Sequence, residues 1–206
     1  MFIDSADIVP QGHPDDAYIW QQIKNGEKAG MEGLYLKYSQ QLFKFGISIK
    51  GDRNFIKDCI HEVFVNIWKY RESIPATDNV KLYLFKCLSN RIYKEIAIDK
   101  RRYSQVSIDH LEISEAGDAI DSDTAFSEIG DKKRIRLLSA LENLPTRQKE
   151  VIQLLFFENE TYEDTSIIMG VNVQSVYNLA WKAISNLKKK ILVLWPALFG
   201  FVLNSL

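Results

Sequence analysis

The chain is predicted to be all-α, built as two small helical domains joined by an acidic linker, with a helix-turn-helix in the second domain. Three observations carry this. Apolar residues recur at three- and four-residue spacing over long stretches, as one face of a helix requires. Only five prolines and ten glycines occur in 206 residues, mainly between those stretches. Charge is segregated: seven basic and two acidic residues lie from Lys81 to Arg102, whereas 103–130 holds seven acids and no Lys or Arg.

Residues 1–16 read as a polar lead-in without fixed structure. The first stripe is Met31, Leu34, Tyr35, Tyr38, Leu42, Phe45 and Ile49, one amphipathic helix that Gly51-Asp52 ends. A second stripe follows at Ile60, Val63, Phe64, Ile67 and Trp68. Turn formers cluster from Ile74 to Asn79, and a third helix carries Val80, Leu84, Leu88, Ile92 and Ile96. These elements make a three- or four-helix domain over 17–102. The acidic segment 103–130 has no sustained period and is rich in Ser and Asp, which marks a linker; a flexible chain of its length reaches roughly 30 Å.

The second domain, 131–190, starts with a short helix through Ile135, Leu138 and Leu141. Another begins at Leu144-Pro145 with the stripe Val151, Ile152, Leu155 and Phe156. Thr161-Tyr-Glu-Asp164 is a helix start, its threonine oxygen placed to accept a first-turn amide. Gly170 suits a left-handed turn after Met169, and Asn172 suits the cap of a helix from Val173 to about Leu187. Helix, short glycine turn, helix is the helix-turn-helix unit. Residues 191–206 form an apolar tail. Its uncharged run, Ile191–Leu203, is too short for the roughly 20 apolar residues that span a bilayer, so packing on its own domain or on a regulatory partner is expected.

Composition narrows the function classes. Cys59 and Cys87 each lie inside an apolar run and read as core residues of a reduced protein; the N-terminus lacks the charged and apolar regions of a secretory signal, so a cytoplasmic location is expected. His61-Glu62 lacks the second histidine of a zinc-protease helix. No glycine-rich phosphate loop occurs, and His13, His61 and His110 have no ligand spacing. Neither a catalytic residue, a metal, a cofactor nor a small-molecule substrate is therefore expected. The overall charge of −1 conceals two basic stretches, the second with four lysines and no acid from Lys182 to Lys190. Lysine-led neutralisation of phosphates is what binding to nucleic acid needs.

In a helix-turn-helix the second helix enters the major groove, and its first exposed residues meet base edges. Here those are Gln174, Ser175, Tyr177 and Asn178, with Lys182 one turn on. Gln and Asn can bond adenine bidentately, Tyr177 can touch a thymine methyl, and Lys182 supplies charge. Trp181, Ala183 and Leu187 are read as the buried side of this helix.

Leu144-Pro-Thr-Arg-Gln-Lys-Glu-Val-Ile, Thr161-Tyr-Glu-Asp and Met169-Gly-Val-Asn-Val-Gln-Ser-Val together resemble the promoter-recognising C-terminal domain of RNA polymerase sigma factors, particularly the extracytoplasmic-function group of the sigma-70 family. Response regulators share a similar helix-turn-helix. The first domain separates the two: Gly51-Asp-Arg, Asp58-Cys-Ile-His-Glu-Val-Phe, Trp68, Leu82-Tyr-Leu-Phe-Lys and Asn90-Arg look like the N-terminal sigma domain, not a receiver.

The resemblance implies a factor that binds core RNA polymerase, recognises promoter DNA and initiates transcription under an anti-sigma factor. It implies a polymerase-docking helix with Asp58, His61, Glu62, Asn66 and Trp68 at the matching positions, histidine standing at 61 where relatives often have glutamine. The third helix and the loop before it match the element that opens the promoter and captures an unstacked base. Tyr70, Arg71, Lys81, Tyr83, Lys86, Asn90, Arg91 and Lys94 supply the aromatic, polar and cationic groups for it, although Lys94 sits where relatives often carry an acid. In relatives the linker runs through polymerase, where an acidic strand occupies surface meant for nucleic acid. Where relatives carry several cations on the reading helix, this chain has Tyr177, Leu179, Ala180 and Trp181, so weak affinity for free DNA is expected. The alternative is a stand-alone helix-turn-helix regulator whose N-terminal helices dimerise or sense a signal.

Overall fold

The computed structural model describes residues 15–106 and 137–192. All regular structure among them is helical: α1 (Asp16–Lys24), α2 (Lys28–Ile49), α3 (Arg53–Lys69), α4 (Val80–Val106), α5 (137–142), α6 (Thr146–Ile152), α7 (Tyr162–Met169) and α8 (Val173–Leu192). The greater part of the expected linker and the apolar tail beyond Leu192 lie outside the described residues.

The first helix was not separately legible in the sequence. Its buried side chains, Ile19, Trp20 and Ile23, are too few to establish a period, and tertiary packing decides its place. The Trp20 indole N–H donates to the Pro75 carbonyl at 3.1 Å, and Asp16 receives both the Tyr38 hydroxyl and the Lys37 ammonium at 2.6 Å. Close approach of α2 needs Gly30, where an added Cβ would stand 2.9 Å from the Ile23 backbone nitrogen and 3.0 Å from the Ile19 carbonyl oxygen. Gly30→Ala should therefore cost about 1–3 kcal/mol, because backbone on both sides has to shift. Urea denaturation of the variant checks this, and an unchanged midpoint would show that the two helices move apart freely.

Helix α3 starts at Asp52, whose carboxylate accepts the amides of Asn54 at 3.1 Å and Phe55 at 3.0 Å. The predicted stripes of α2, α3 and α4 then meet in one core. Phe45 and Phe85, both fully buried, pack with ring centroids 5.1 Å apart. From the α2 stripe Tyr35 departs, remaining 51% exposed beside the ring of Phe64, because it lies at the mouth of a groove and not under a neighbouring helix.

Helices α6, α7 and α8 form the second unit, and its apolar residues are continuous with the same core. The Pro145 carbonyl accepts from Gln148 and Lys149 at the start of α6. At Gln153–Phe157 the chain widens into a π turn. This overturns the expected inward placement of Phe156: the surplus residue rotates the face, so Leu154 is buried while Phe156 and Phe157 are more than half exposed. The turn ahead of α8 matches expectation. The Thr161 hydroxyl oxygen accepts the Asp164 amide at 3.0 Å, Gly170 adopts φ 64° and ψ 36°, and the Asn172 side chain accepts the Ser175 amide at 2.7 Å.

Candidate polymerase and promoter surfaces

Three helix faces carry the residues singled out in the sequence. On α3, Asp58, His61, Glu62 and Asn66 are all exposed and fall within one stripe at about 100° per residue. Trp68 closes that stripe half-buried, with the Arg71 guanidinium 5.0 Å from its ring and Arg71 donating to its carbonyl at 3.0 Å. Beside them, α2 and α3 enclose an open groove of about 940 Å³ lined by Met31, Tyr35, Phe43, Phe64 and Val65 together with His61 and Trp68. A polar stripe bordering an apolar groove suits a helical partner that lays one face into it.

On α4 the predicted set divides. Lys86, Asn90 and Lys94 are exposed and follow one another along the helix, with Tyr83 on the same side one turn earlier. Tyr83 lies partly buried, edge-on to Trp20 with centroids 5.3 Å apart; burial, then the neighbouring Cys87, pushes its hydroxyl up to about 12. Tyr70 and Arg71 stand in the loop after α3, Tyr70 being exposed. Arg91 is drawn off the stripe, pairing with Glu95 at 3.1 Å and with Glu62 at 3.7 Å, so it links α4 to the α3 face.

Lys81 also points away, toward the second unit. Its ammonium donates to the Glu158 carbonyl at 2.6 Å and pairs with the carboxylates of Glu160 at 2.8 Å and Glu158 at 3.7 Å. Farther along, Glu150 of α6 is completely buried on α4, accepting from the Tyr93 hydroxyl at 2.7 Å, the Ser89 hydroxyl at 3.2 Å and Arg147 at 3.0 Å. The Arg147 guanidinium also lies 4.1 Å from the centre of the Tyr93 ring. Burial raises the Glu150 carboxyl above its ordinary value, while Tyr93, Arg147 and Ser89 pull it back down. Tyr93 is raised by its own burial and then by the Glu150 charge. This network escaped the sequence reading. Its only local signal is an acid set against Val151 and Ile152, and its partners on α4 lie 57 and 61 residues away.

On α8, Gln174, Tyr177, Asn178 and Lys182 are exposed together, whereas Ser175 is half-buried, its amide donating to the Asn172 cap. Tyr177 stacks on Tyr162 of α7 with centroids 4.1 Å apart and planes 13° from parallel, which fixes its ring at the edge of the face. The expected burial of Trp181 is wrong: it is 70% exposed. Counting about 100° per residue places it roughly 20° from Gln174, in the middle of the outward face, whereas Ala183, turned inward, is fully buried as expected and Leu187 packs against the core.

Residues 134–187 match the family described as Sigma-70, region 4. Over 187 residues, 87% of this chain and 95% of the relative, the chain is 22% identical to a protein of Mycobacterium ulcerans named ECF RNA polymerase sigma factor SigK. It is 23% identical over 184 residues to the ECF RNA polymerase sigma-E factor of Haemophilus influenzae, covering 85% of this chain and 95% of that one. Among solved structures, the fold is similar to the sigma factor RpoE in complex with the anti-sigma factor NepR from Bartonella quintana, with a TM-score of 0.60, 21% identity and coverage of 78% of this chain and 95% of that one. It is also similar to CnrH in complex with the cytosolic domain of CnrY, with a TM-score of 0.56 and 17% identity over 84% of this chain and 94% of that one. The alignments span both helical units, not the helix-turn-helix alone.

Proposed function

We infer that this chain, a sigma factor of the extracytoplasmic-function group of the sigma-70 family, binds core RNA polymerase, recognises promoter DNA and so initiates transcription, acting in the cytoplasm without a catalytic step of its own. One observation supports this above the others. A helix-turn-helix with Gln174, Tyr177 and Asn178 outward shares a chain with an α4 face bearing Lys86, Asn90 and Lys94, so duplex-reading and strand-opening chemistry come on separate helices. A stand-alone regulator needs only the first of these. Extended similarity to sigma factors through the N-terminal unit favours the initiation factor over that alternative.

In this reading α3 docks on polymerase through Asp58, His61, Glu62, Asn66 and Trp68. Tyr70, Arg71, Lys81, Tyr83, Lys86, Asn90, Arg91 and Lys94 serve promoter opening, while Gln174, Ser175, Tyr177, Asn178 and Lys182 serve recognition of the upstream box. Lys81 and Arg91 reach DNA only after leaving their present ion pairs. An anti-sigma protein is the expected regulator, as RpoE of Bartonella quintana is held by NepR.

Fluorescence titration of core polymerase tests the docking face. The double variant Asp58→Ala, Glu62→Ala should bind core at least tenfold more weakly while keeping its helical signal, because exposed charges contribute little to folding. Unchanged affinity would remove α3 as the docking surface. Failure of the unaltered chain to bind core stoichiometrically would restore the stand-alone regulator.

A further inference from the structure

An exposed tryptophan at the centre of a polar helix face is costly to leave in water, and on α8 that position belongs to Trp181. Its surroundings indicate what covers it. Around the helix Gln174, Asn178 and then Lys182 lie on one side of it and Tyr177 on the other, and Lys188 and Lys189 are exposed farther along. The whole of α8 holds four lysines and no carboxylate. A face so lacking in acids, with amide side chains beside one large apolar ring, matches a surface that is anionic at its margins and has hydrogen-bonding edges with apolar spots on its floor. The major groove of duplex DNA is such a surface, and its one apolar feature is the C5 methyl of thymine.

We propose that Trp181 is a specificity-determining residue that reads thymine methyl groups in the upstream promoter box, with Tyr177 as a second, fixed apolar contact. The proposal rests on the reading of α8 as the promoter-recognising helix and adds what that helix selects. Gln174 and Asn178 offer bidentate pairing to adenine, and Trp181 lies about 10 Å along the helix axis from Gln174, a distance of roughly three base-pair steps. Both kinds of contact favour A·T pairs. Tyr162, stacked on Tyr177, holds that ring in place beside Trp181's face. Selection by this helix thus runs through shape and apolar contact where cationic side chains would select guanine.

Replacing individual thymines by deoxyuridine removes the methyl group and nothing else. Holoenzyme assembled from core polymerase and the full chain is titrated with duplexes selected from a promoter library randomised in the upstream box, each carrying one such replacement. At one or two positions the unaltered holoenzyme should lose about three- to fivefold in affinity, as burial of a single methyl predicts. At one of these positions Trp181→Ala should bind the thymine and deoxyuridine duplexes equally, Trp181→Phe should retain part of the difference there, and Gln174→Ala should retain all of it. Any second position, read by Tyr177, should stay sensitive in Trp181→Ala. Equal binding of thymine and deoxyuridine at every position, with the upstream box still protected from nuclease, overturns the role of Trp181 and leaves promoter recognition standing. Absence of any upstream protection overturns the reading of α8 itself. Trp181→Ala that keeps full methyl sensitivity, while weakening capture of an anti-sigma protein, overturns the proposal in favour of a protein contact.

Discussion

Glu150→Ala is expected to lower stability by about 3 kcal/mol, since a buried donor left without its partner costs roughly 1–3 kcal/mol and this carboxylate serves the hydroxyls of both Ser89 and Tyr93. The loss falls on the seam between α6 and α4, so the second unit should come away before the first one melts. Hydrogen exchange checks this: amides of α6 and α7 should lose protection while those of α2 and α3 keep it. Comparison with Glu150→Gln adds a pH signature. The folded carboxyl sits above its ordinary 4.5, so near that pH the folded chain holds a proton that the unfolded chain has begun to release. Stability of the unaltered protein relative to Glu150→Gln must then rise as pH falls through the window just above 4.5, opposite to the trend of a carboxylate held by a salt bridge. A difference in stability that moves the other way would mean that Arg147 outweighs burial at this site.

Phe85→Ala should cost more, about 3–5 kcal/mol, as expected for deleting a buried aromatic side chain that its neighbours cannot replace. Phe85 packs against Phe45, and the Lys81 ammonium lies 5.5 Å from its ring centre. Its loss therefore loosens α2 from α4 and removes the support beneath Lys81 at the same time. Thermal unfolding followed by circular dichroism should show the first unit failing, with little separation between the two units. If Phe85→Ala costs under about 1 kcal/mol, Phe45 has relaxed into the space and the two rings are not the centre of the core.

Much of this fold was legible because its signals are local. Thr161, Gly170 and Asn172 each act within one helical turn of themselves, and each stands where its chemistry placed it, while Asp52, read only as part of the break after α2, also caps α3. Likewise, the apolar stripes of α2, α3 and α4 give buried positions directly, with Leu34, Phe64 and Leu88 among them. What was missed depends on distant partners. Trp181 looked apolar and hence internal, yet burial follows from which face meets α6 and α7, and that face holds Val176, Ala180 and Ala183. Phe156 continued a helical period that the π turn interrupts. Lys81 and Arg91 read as free cations for DNA, although each has acidic partners that sequence spacing alone could not rank. Glu150 stands in the sequence only as one residue of a motif, and its burial depends on α4 lying across it.

The π turn at Gln153–Phe157 acts as a phase shifter between the two halves of the second unit. One surplus residue sets everything after it back by about 100° and 1.5 Å relative to a continuous α-helix. The chain leaves that turn at Glu158, and Asn159, at φ 56°, reverses it so that the Glu160 amide returns to the Leu154 carbonyl at 3.0 Å. From this altered phase Glu158 and Glu160 pair with Lys81. A chain one residue shorter here would keep its helix-turn-helix and its core stripe but carry the two carboxylates round to another side, so the position of the α7–α8 pair on α4 is encoded by residue count as much as by residue type.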